Sequence, residues 1–187
     1  MNYYNTNLKI STDPEELLSR GIMGKGKAIK NALDKGIIDK TKRAIITYPD
    51  DVFLDKFLPI NLLTHHLFGV EKMKIWATLV LVPGTVYPFG VAQLNYDGLI
   101  AKFEEKPFIQ RDTYTGTCMI EPEVYKVINE LIDLNAEKEI DFESVVIPEL
   151  ARRHKLYSFH IAHNTWLPVN TQKEYETVLK LFANKEN

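Results

Sequence analysis

Hydrophobic residues recur along this chain with two different periods. Behind Pro122, the residues Val124, Val127, Ile128, Leu131 and Ile132 fall three and four apart. That spacing predicts an amphipathic helix with proline at its first position. Ile60, Leu63 and Leu67 predict a helix over 59–68 that buries them, with Gly69 as its terminator. Val145, Val146 and Leu150 predict a helix capped by Asp141, and Ala32 and Leu33 a short helix from Gly24 that stops near Gly36. Asp13-Pro14 reads as a further helix start, with Asp13 as cap. Thr171-Gln172-Lys173-Glu174 is a capping box opening a last helix, expected to bury Tyr175, Val178, Leu179 and Phe182.

Other stretches alternate or run apolar, as strands do. Residues 76–82 are nearly all apolar and predict a strand buried on both faces. Residues 44–46 predict a buried strand ending in the acidic loop Tyr48-Pro49-Asp50-Asp51. Asp97-Gly98 between 89–94 and 99–103 is a hairpin signal. Strands are also expected at 114–120 and 156–161, a short edge strand at 8–11, and a return segment at 166–170. Strands alternating with helices, plus one hairpin, imply an α/β fold with a mixed sheet.

Composition narrows the classes. The chain has 187 residues, 45% hydrophobic and 26% charged, enough for one domain with a sizeable core. A formal net charge of −2 gives no electrostatic reason to bind nucleic acid or an anionic membrane. The single cysteine, Cys118, has no internal disulfide partner and sits in a strand pattern, which fits a packed thiol in a reducing cytoplasm. No apolar run is long enough to span a bilayer, and residues 1–5 lack the regions of a signal peptide.

Two stretches are candidates for chemistry. Ligands in open α/β sheets bind beyond the carboxyl ends of strands, and a carboxylate there can take Mg²⁺ together with substrate phosphates. Asp50, with Asp51 beside it, is placed for that, or for capping the next helix or making a turn. Gly24-Lys25-Gly26 at a helix entrance lets a ligand approach backbone amides, although it lacks the spacing of a dinucleotide fingerprint or a P-loop. His65 and His66 are adjacent on a predicted helix and diverge by about 100°, so one face cannot offer both to a metal.

Taken in order, these pieces resemble the sugar-1-phosphate nucleotidyltransferases, and Pro49-Asp50-Asp51 is most similar to the UTP–glucose-1-phosphate uridylyltransferase branch. The resemblance covers 21–183 and implies a Rossmann-like mixed sheet. It implies that Gly24, Lys25 and Gly26 lie beside the nucleobase and that Asp50 binds Mg²⁺ between nucleotide and sugar phosphate. Phe89-Gly90-Val91 looks like the family's Tyr-Gly-Val, whose glycine meets the sugar. Glu105-Lys106-Pro107 looks like its Glu-Lys-Pro, in which glutamate holds sugar hydroxyls and lysine the sugar phosphate. Thr115-Gly116 looks like its sugar-contacting turn. The implied ligands are a nucleoside triphosphate and a sugar 1-phosphate, or a nucleotide sugar. Asp50 and Lys106 would then offset charge during attack on the α-phosphorus.

Three departures shape the expectation. No Gly-Gly-x-Gly-Thr-Arg loop occurs here, so the resemblance implies a single, N-terminally truncated domain over 1–187. Where many members have Trp-x-Asp-Ile-Gly-Thr, this chain reads Trp166-Leu167-Pro168-Val169-Asn170-Thr171, without the second metal-binding aspartate. The turn asparagine of many members is Tyr114. The expectation is a uridylyltransferase-like domain impaired by itself, either a homo-oligomer or served by a partner chain that supplies the missing unit. The alternatives are a non-catalytic sugar-nucleotide-binding or regulatory subunit, and a nucleotide-sugar-dependent glycosyltransferase.

Overall fold

The computed structural model describes residues 8–183; the N-terminal stretch read above for a targeting signal lies outside them. The helices are α1 (Glu15–Ser19), α2 (Gly24–Asp34), α3 (Leu58–Met73), α4 (Pro122–Leu131), α5 (Phe142–Arg152) and α6 (Gln172–Ala183). The strands are β1 (Ala44–Ile46), β2 (Asp51–Phe53), β3 (Ala77–Val82), β4 (Thr85–Val86), β5 (Val91–Leu94), β6 (Ile100–Glu104), β7 (Phe108–Ile109), β8 (Thr113–Ile120), β9 (Leu156–His160) and β10 (Trp166–Pro168). The fold is α/β with a mixed sheet, as the alternating pattern implies. The main sheet has the order β1-β8-β3-β9, and three two-stranded ladders, β2 with β10, β4 with β7 and β5 with β6, complete the strands. Among the described residues no helix is long and apolar enough to cross a membrane.

The chain divides into two compact units. The first runs to Ile45 and adds Phe68–Ala77 and Met119–Tyr157. Its core is made by α2, α4 and α5, which bury Leu33, Val124, Val127, Ile128, Phe142, Val146 and Leu150. A fully buried side chain of this kind contributes about 1.5–3 kcal/mol, so this face carries much of the unit's stability. Lys27 is fully buried among them, its ammonium donating to the Ala136 carbonyl at 2.6 Å. Asp13 is not the cap of α1. Pro14 holds that place, and Asp13 accepts a bond from the Asn31 amide at 3.2 Å. No strand forms at 8–11.

The second unit comprises Ile46–Leu67, Thr78–Cys118 and the chain from Ser158 on, and holds most of the main sheet. β3 is as buried as its apolar run predicts, and Cys118 is buried without a disulfide. β1 is less buried than expected, with Ile45 exposed. Between β3 and β8 the chain makes a nested arm: β4 pairs with β7 and, further out, β5 pairs with β6 through the predicted Asp97-Gly98 turn. Gly98 sits there at φ +84° and the Asp97 carboxylate accepts the Leu99 amide.

α3 differs most from its pattern. It runs through Gly69 to Met73, and its buried positions are Leu58, Leu62, His66 and Gly69, whereas Ile60 is 55% exposed. The stripe is rotated because His66 is a core residue, bonded through Nδ1 to the Thr78 hydroxyl at 2.8 Å. A polarity pattern counts histidine as solvent-facing and so shifts the face. Gly69 is interior to the helix because a Cβ there would meet Tyr157 at 2.8 Å and Ile75 at 2.9 Å. In α6 the capping box forms as predicted, Thr171 and Glu174 exchanging bonds. Its apolar face is not buried, however: Tyr175, Leu179 and Phe182 are exposed.

One charged cluster in the first unit gives a pH signature. Hydrogen bonds from Arg152 and then Arg153 hold the Glu149 carboxyl well below its ordinary 4.5, at about 2. A carboxyl depressed in the folded state lends stability that is fully present above its unfolded value and is lost as pH falls through the folded one. We expect that contribution to disappear between about pH 4.5 and 2. Urea midpoints measured across that range should fall less steeply for Glu149→Gln than for the native chain. Parallel curves would contradict the assignment.

Candidate functional site

The acidic pair is organised by a three-residue strand. β2 pairs antiparallel with β10, with Asp51 opposite Pro168, Val52 opposite Leu167 and Phe53 opposite Trp166. The Val169 amide donates to the Asp50 carbonyl at 2.8 Å and the Leu54 amide to the Thr165 carbonyl at 2.9 Å. These bonds make Asp51–Pro168 a non-hydrogen-bonded pair, where a missing N–H costs the ladder nothing. Proline is therefore tolerated at 168.

Asp50 lies in the turn before the strand, closed by the Asp51 amide donating to the Tyr48 carbonyl at 3.2 Å, and Asp51 opens β2. Asp51 shares a face with Pro168 and, diagonally, Trp166, and its Oδ1 accepts the Trp166 indole N–H at 2.7 Å. Its other oxygen lies against β8: a Cβ on Gly116 would come within 2.6 Å of Asp51 Oδ2 and 2.9 Å of the Tyr48 ring. Gly116 itself has φ +87°, and the Tyr114 hydroxyl donates to its carbonyl at 2.9 Å. Asp50 is exposed, and its carboxylate accepts no hydrogen bond from the described residues. Neither acid caps α3, whose first residue is Leu58.

The arm carries a second group. Glu105 leans over Gly90, where a Cβ would lie 3.0 Å from Glu105 Oε2 and 2.4 Å from the Phe103 ring. The structure thus brings Gly90 and Glu105 together, and any side chain at 90 would displace Phe103. Lys106 follows at φ +47°, a left-handed conformation that costs a non-glycine residue about 1–2 kcal/mol. Its ammonium is exposed and has no partner among the described residues. A cleft of about 210 Å³ opens on the same arm, lined by Val91, Gln93, Lys102, Glu104, Pro107 and Ile109.

The remaining expected residues are committed elsewhere in the chain. Thr115 and Gly116 lie within β8 and not in a turn: Thr115 is 2% exposed and its hydroxyl donates to the Val80 carbonyl at 3.1 Å, so its side chain is committed to the sheet. Gly24, Lys25 and Gly26 belong to the first unit. Their close approach is to the chain itself: a Cβ on Gly24 or Gly26 would stand 2.6 or 2.7 Å from the Ile140 carbonyl oxygen. The Lys25 amide donates to Asp141 Oδ1 at 2.9 Å, and the Lys25 ammonium to Glu143 at 3.1 Å. Asp141 therefore caps the entrance of α2, as well as standing at the N-cap of α5. His65 and His66 bond to the Ser158 carbonyl and to Thr78. The residue that pattern reading passed over is Trp166, whose link to Asp51 spans 115 positions.

The profile of the nucleotidyl transferase family matches residues 2–185. The chain belongs to that family. Among solved structures it is similar to a crystal structure described as a glucose-1-phosphate thymidylyltransferase from Bacillus anthracis in complex with a sucrose. The two share 21% identity at a TM-score of 0.56, a likeness of fold. That match covers 86% of this chain and 61% of the other, so this chain spans under two thirds of the length of that protein. No curated protein matches.

The contact between β8 and the acidic loop is open to direct test. Gly116→Ala forces alanine into a left-handed conformation and drives a methyl group into the Asp51 carboxylate. It should cost about 2–4 kcal/mol in chemical denaturation. A loss below about 1 kcal/mol would show that the loop and β8 are not in this register.

Proposed function

We propose that the chain carries the sugar-phosphate side of a nucleotidyl transfer site: sugar 1-phosphate and nucleoside triphosphate to nucleoside-diphosphate sugar and pyrophosphate, with UTP and glucose 1-phosphate as the pair. The observation that carries this is the division of the acidic pair. One carboxylate, Asp51, is bonded into the fold, and its neighbour Asp50 is left exposed beyond β1 with no competing partner among the described residues. Family membership supports the reaction class, and the resemblance in sequence supports the substrates.

Mg²⁺ suits this donor set. Among the described residues no group of three or more His, Cys, Asp or Glu converges on one point. Mg²⁺ does not need one, because it is held through one or two carboxylates, waters and the substrate's phosphates. Asp50 would hold it, and when bound it supplies positive charge between two phosphate groups. The rest falls to the chain's own side chains. Glu105, leaning over Gly90, accepts from sugar hydroxyls. Lys106 donates to the sugar phosphate, and its strained backbone is the kind of conformation that clusters at ligand clamps. Gly116, within β8, makes room for the Asp51 carboxylate. The nucleophile is a phosphate oxygen, already ionised at neutral pH, so no general base is required. It forms the new bond to the α-phosphorus as the bond to the β-phosphate breaks and pyrophosphate leaves.

These 187 residues contain no Gly-Gly-x-Gly-Thr-Arg stretch to stabilise the leaving pyrophosphate. Loss of one such donor commonly costs about 10²–10³ in rate. A second reading, a sugar-nucleotide-binding subunit without turnover, is favoured by Pro168, which puts no carboxylate opposite Asp51.

The test uses the purified chain with UTP or dTTP, glucose 1-phosphate and Mg²⁺, following pyrophosphate, with UDP-glucose binding by calorimetry alongside. We expect metal-dependent binding that Asp50→Ala abolishes, and glucose 1-phosphate binding weakened about 10–100-fold by Lys106→Ala. Turnover should lie below the ordinary range of about 1–10³ s⁻¹. Turnover within that range would contradict the proposed impairment. Binding without any turnover would favour the subunit reading, and sugar transfer to an added acceptor would replace both with a glycosyltransferase. No binding of any of these ligands would refute the proposal.

A further inference from the structure

We propose that Asp51 is a positioning residue: by accepting the Trp166 indole N–H it locks the β2–β10 ladder and so fixes the direction in which Asp50 presents its carboxylate. The proposal rests on the reading of Asp50 as the metal-holding acid. Adjacent acids on a loop would ordinarily be interchangeable in that role. Here Asp51 opens the strand and is bonded to Trp166, whereas Asp50 lies exposed in the turn before it and accepts no side-chain bond from the described residues.

The geometry is closed on several sides. The Asp51–Trp166 bond, at 2.7 Å, joins a carboxylate to a neutral donor, the stronger kind of hydrogen bond. It lies diagonally across the ladder, two residues from the Asp51–Pro168 pair. Gly116 and the Tyr48 ring back the second carboxylate oxygen, so Asp51 has little freedom to turn toward solvent. On the other side of the same backbone, the Val169 amide bonds to the Asp50 carbonyl at 2.8 Å. A ladder with three paired positions is too short to hold itself in water. The side-chain bond supplies the missing constraint. Without it Asp50 would sample many directions, and a single-carboxylate site loses most from such freedom because no second protein ligand restores the geometry.

Four variants separate positioning from charge and from ligation. Asp51→Asn and Asp51→Ala both remove the charge, but only asparagine keeps an oxygen that can accept the indole N–H. Trp166→Phe removes the donor and leaves the charges untouched. Asp50→Ala removes the proposed ligand. One readout is Mn²⁺ binding by electron paramagnetic resonance in the presence of UDP-glucose. The other is hydrogen exchange of the Val169 amide, which needs no ligand. We expect Asp51→Asn to hold Mn²⁺ about fivefold or more tightly than Asp51→Ala, and Trp166→Phe to weaken Mn²⁺ binding likewise. Val169 exchange should speed up about tenfold in Asp51→Ala and Trp166→Phe, and stay unchanged in Asp50→Ala and Asp51→Asn. Equal Mn²⁺ loss in Asp51→Asn and Asp51→Ala, with Val169 protected in both, would overturn the proposal and make Asp51 a ligand. Unchanged exchange in Trp166→Phe would overturn it too. If the native chain binds no Mn²⁺, the metal reading of Asp50 fails, and Val169 exchange by itself decides whether Asp51 locks the ladder.

Discussion

The hydrogen bond from the Trp166 indole to the Asp51 carboxylate, at 2.7 Å across the β2–β10 ladder, organises the acidic loop. Asp51 opens β2 with its carboxylate against Trp166 and Gly116, and Asp50, in the turn before it, is exposed. Everything proposed for the second unit depends on this division. The same pairing explains why proline can stand at 168, since its missing N–H falls at a non-hydrogen-bonded pair. The left-handed glycine on β8 follows as well: Gly116 leaves the space that the second Asp51 oxygen fills. A short ladder, an indole and a glycine thus convert two adjacent acids into one structural group and one available group.

The glycines of this chain have distinct physical reasons. Gly90 makes room for the Phe103 ring and brings Glu105 over the backbone, on an arm whose next residue, Lys106, is strained and exposed. Gly24 and Gly26 make room for the Ile140 carbonyl, and Gly69 for Tyr157 and Ile75. The helix entrance at Gly24 is already served by Asp141, which supplies the negative charge that such an entrance favours.

What could be read from the sequence was local. The α4 helix, the capping box at Thr171 and the Asp97-Gly98 hairpin each depend on residues within a few positions of one another, and each formed where expected. Asp50, Gly90 and Glu105 were legible as motif residues, and the resemblance chose Asp50 over Asp51, but the bond that ties Asp51 into the fold was not legible. That depends on Trp166, 115 positions away. β2 itself was not legible, because three residues carry too little alternation to register. The buried face of α3 was misplaced because a hydrogen bond to Thr78 makes His66 a core residue. The exposure of α6's apolar face was not legible, because amphipathic spacing shows that a helix has an apolar side, not that anything covers it.

The account turns on which carboxylate of the pair meets the metal. Crystals of the chain grown with UDP-glucose and soaked in Mn²⁺ would locate that ion by its anomalous signal. The structure predicts a peak about 2.0–2.2 Å from an Asp50 carboxylate oxygen, with Asp51 still accepting the Trp166 indole N–H. A peak on Asp51, or a nucleotide sugar bound with no peak near either acid, would contradict it.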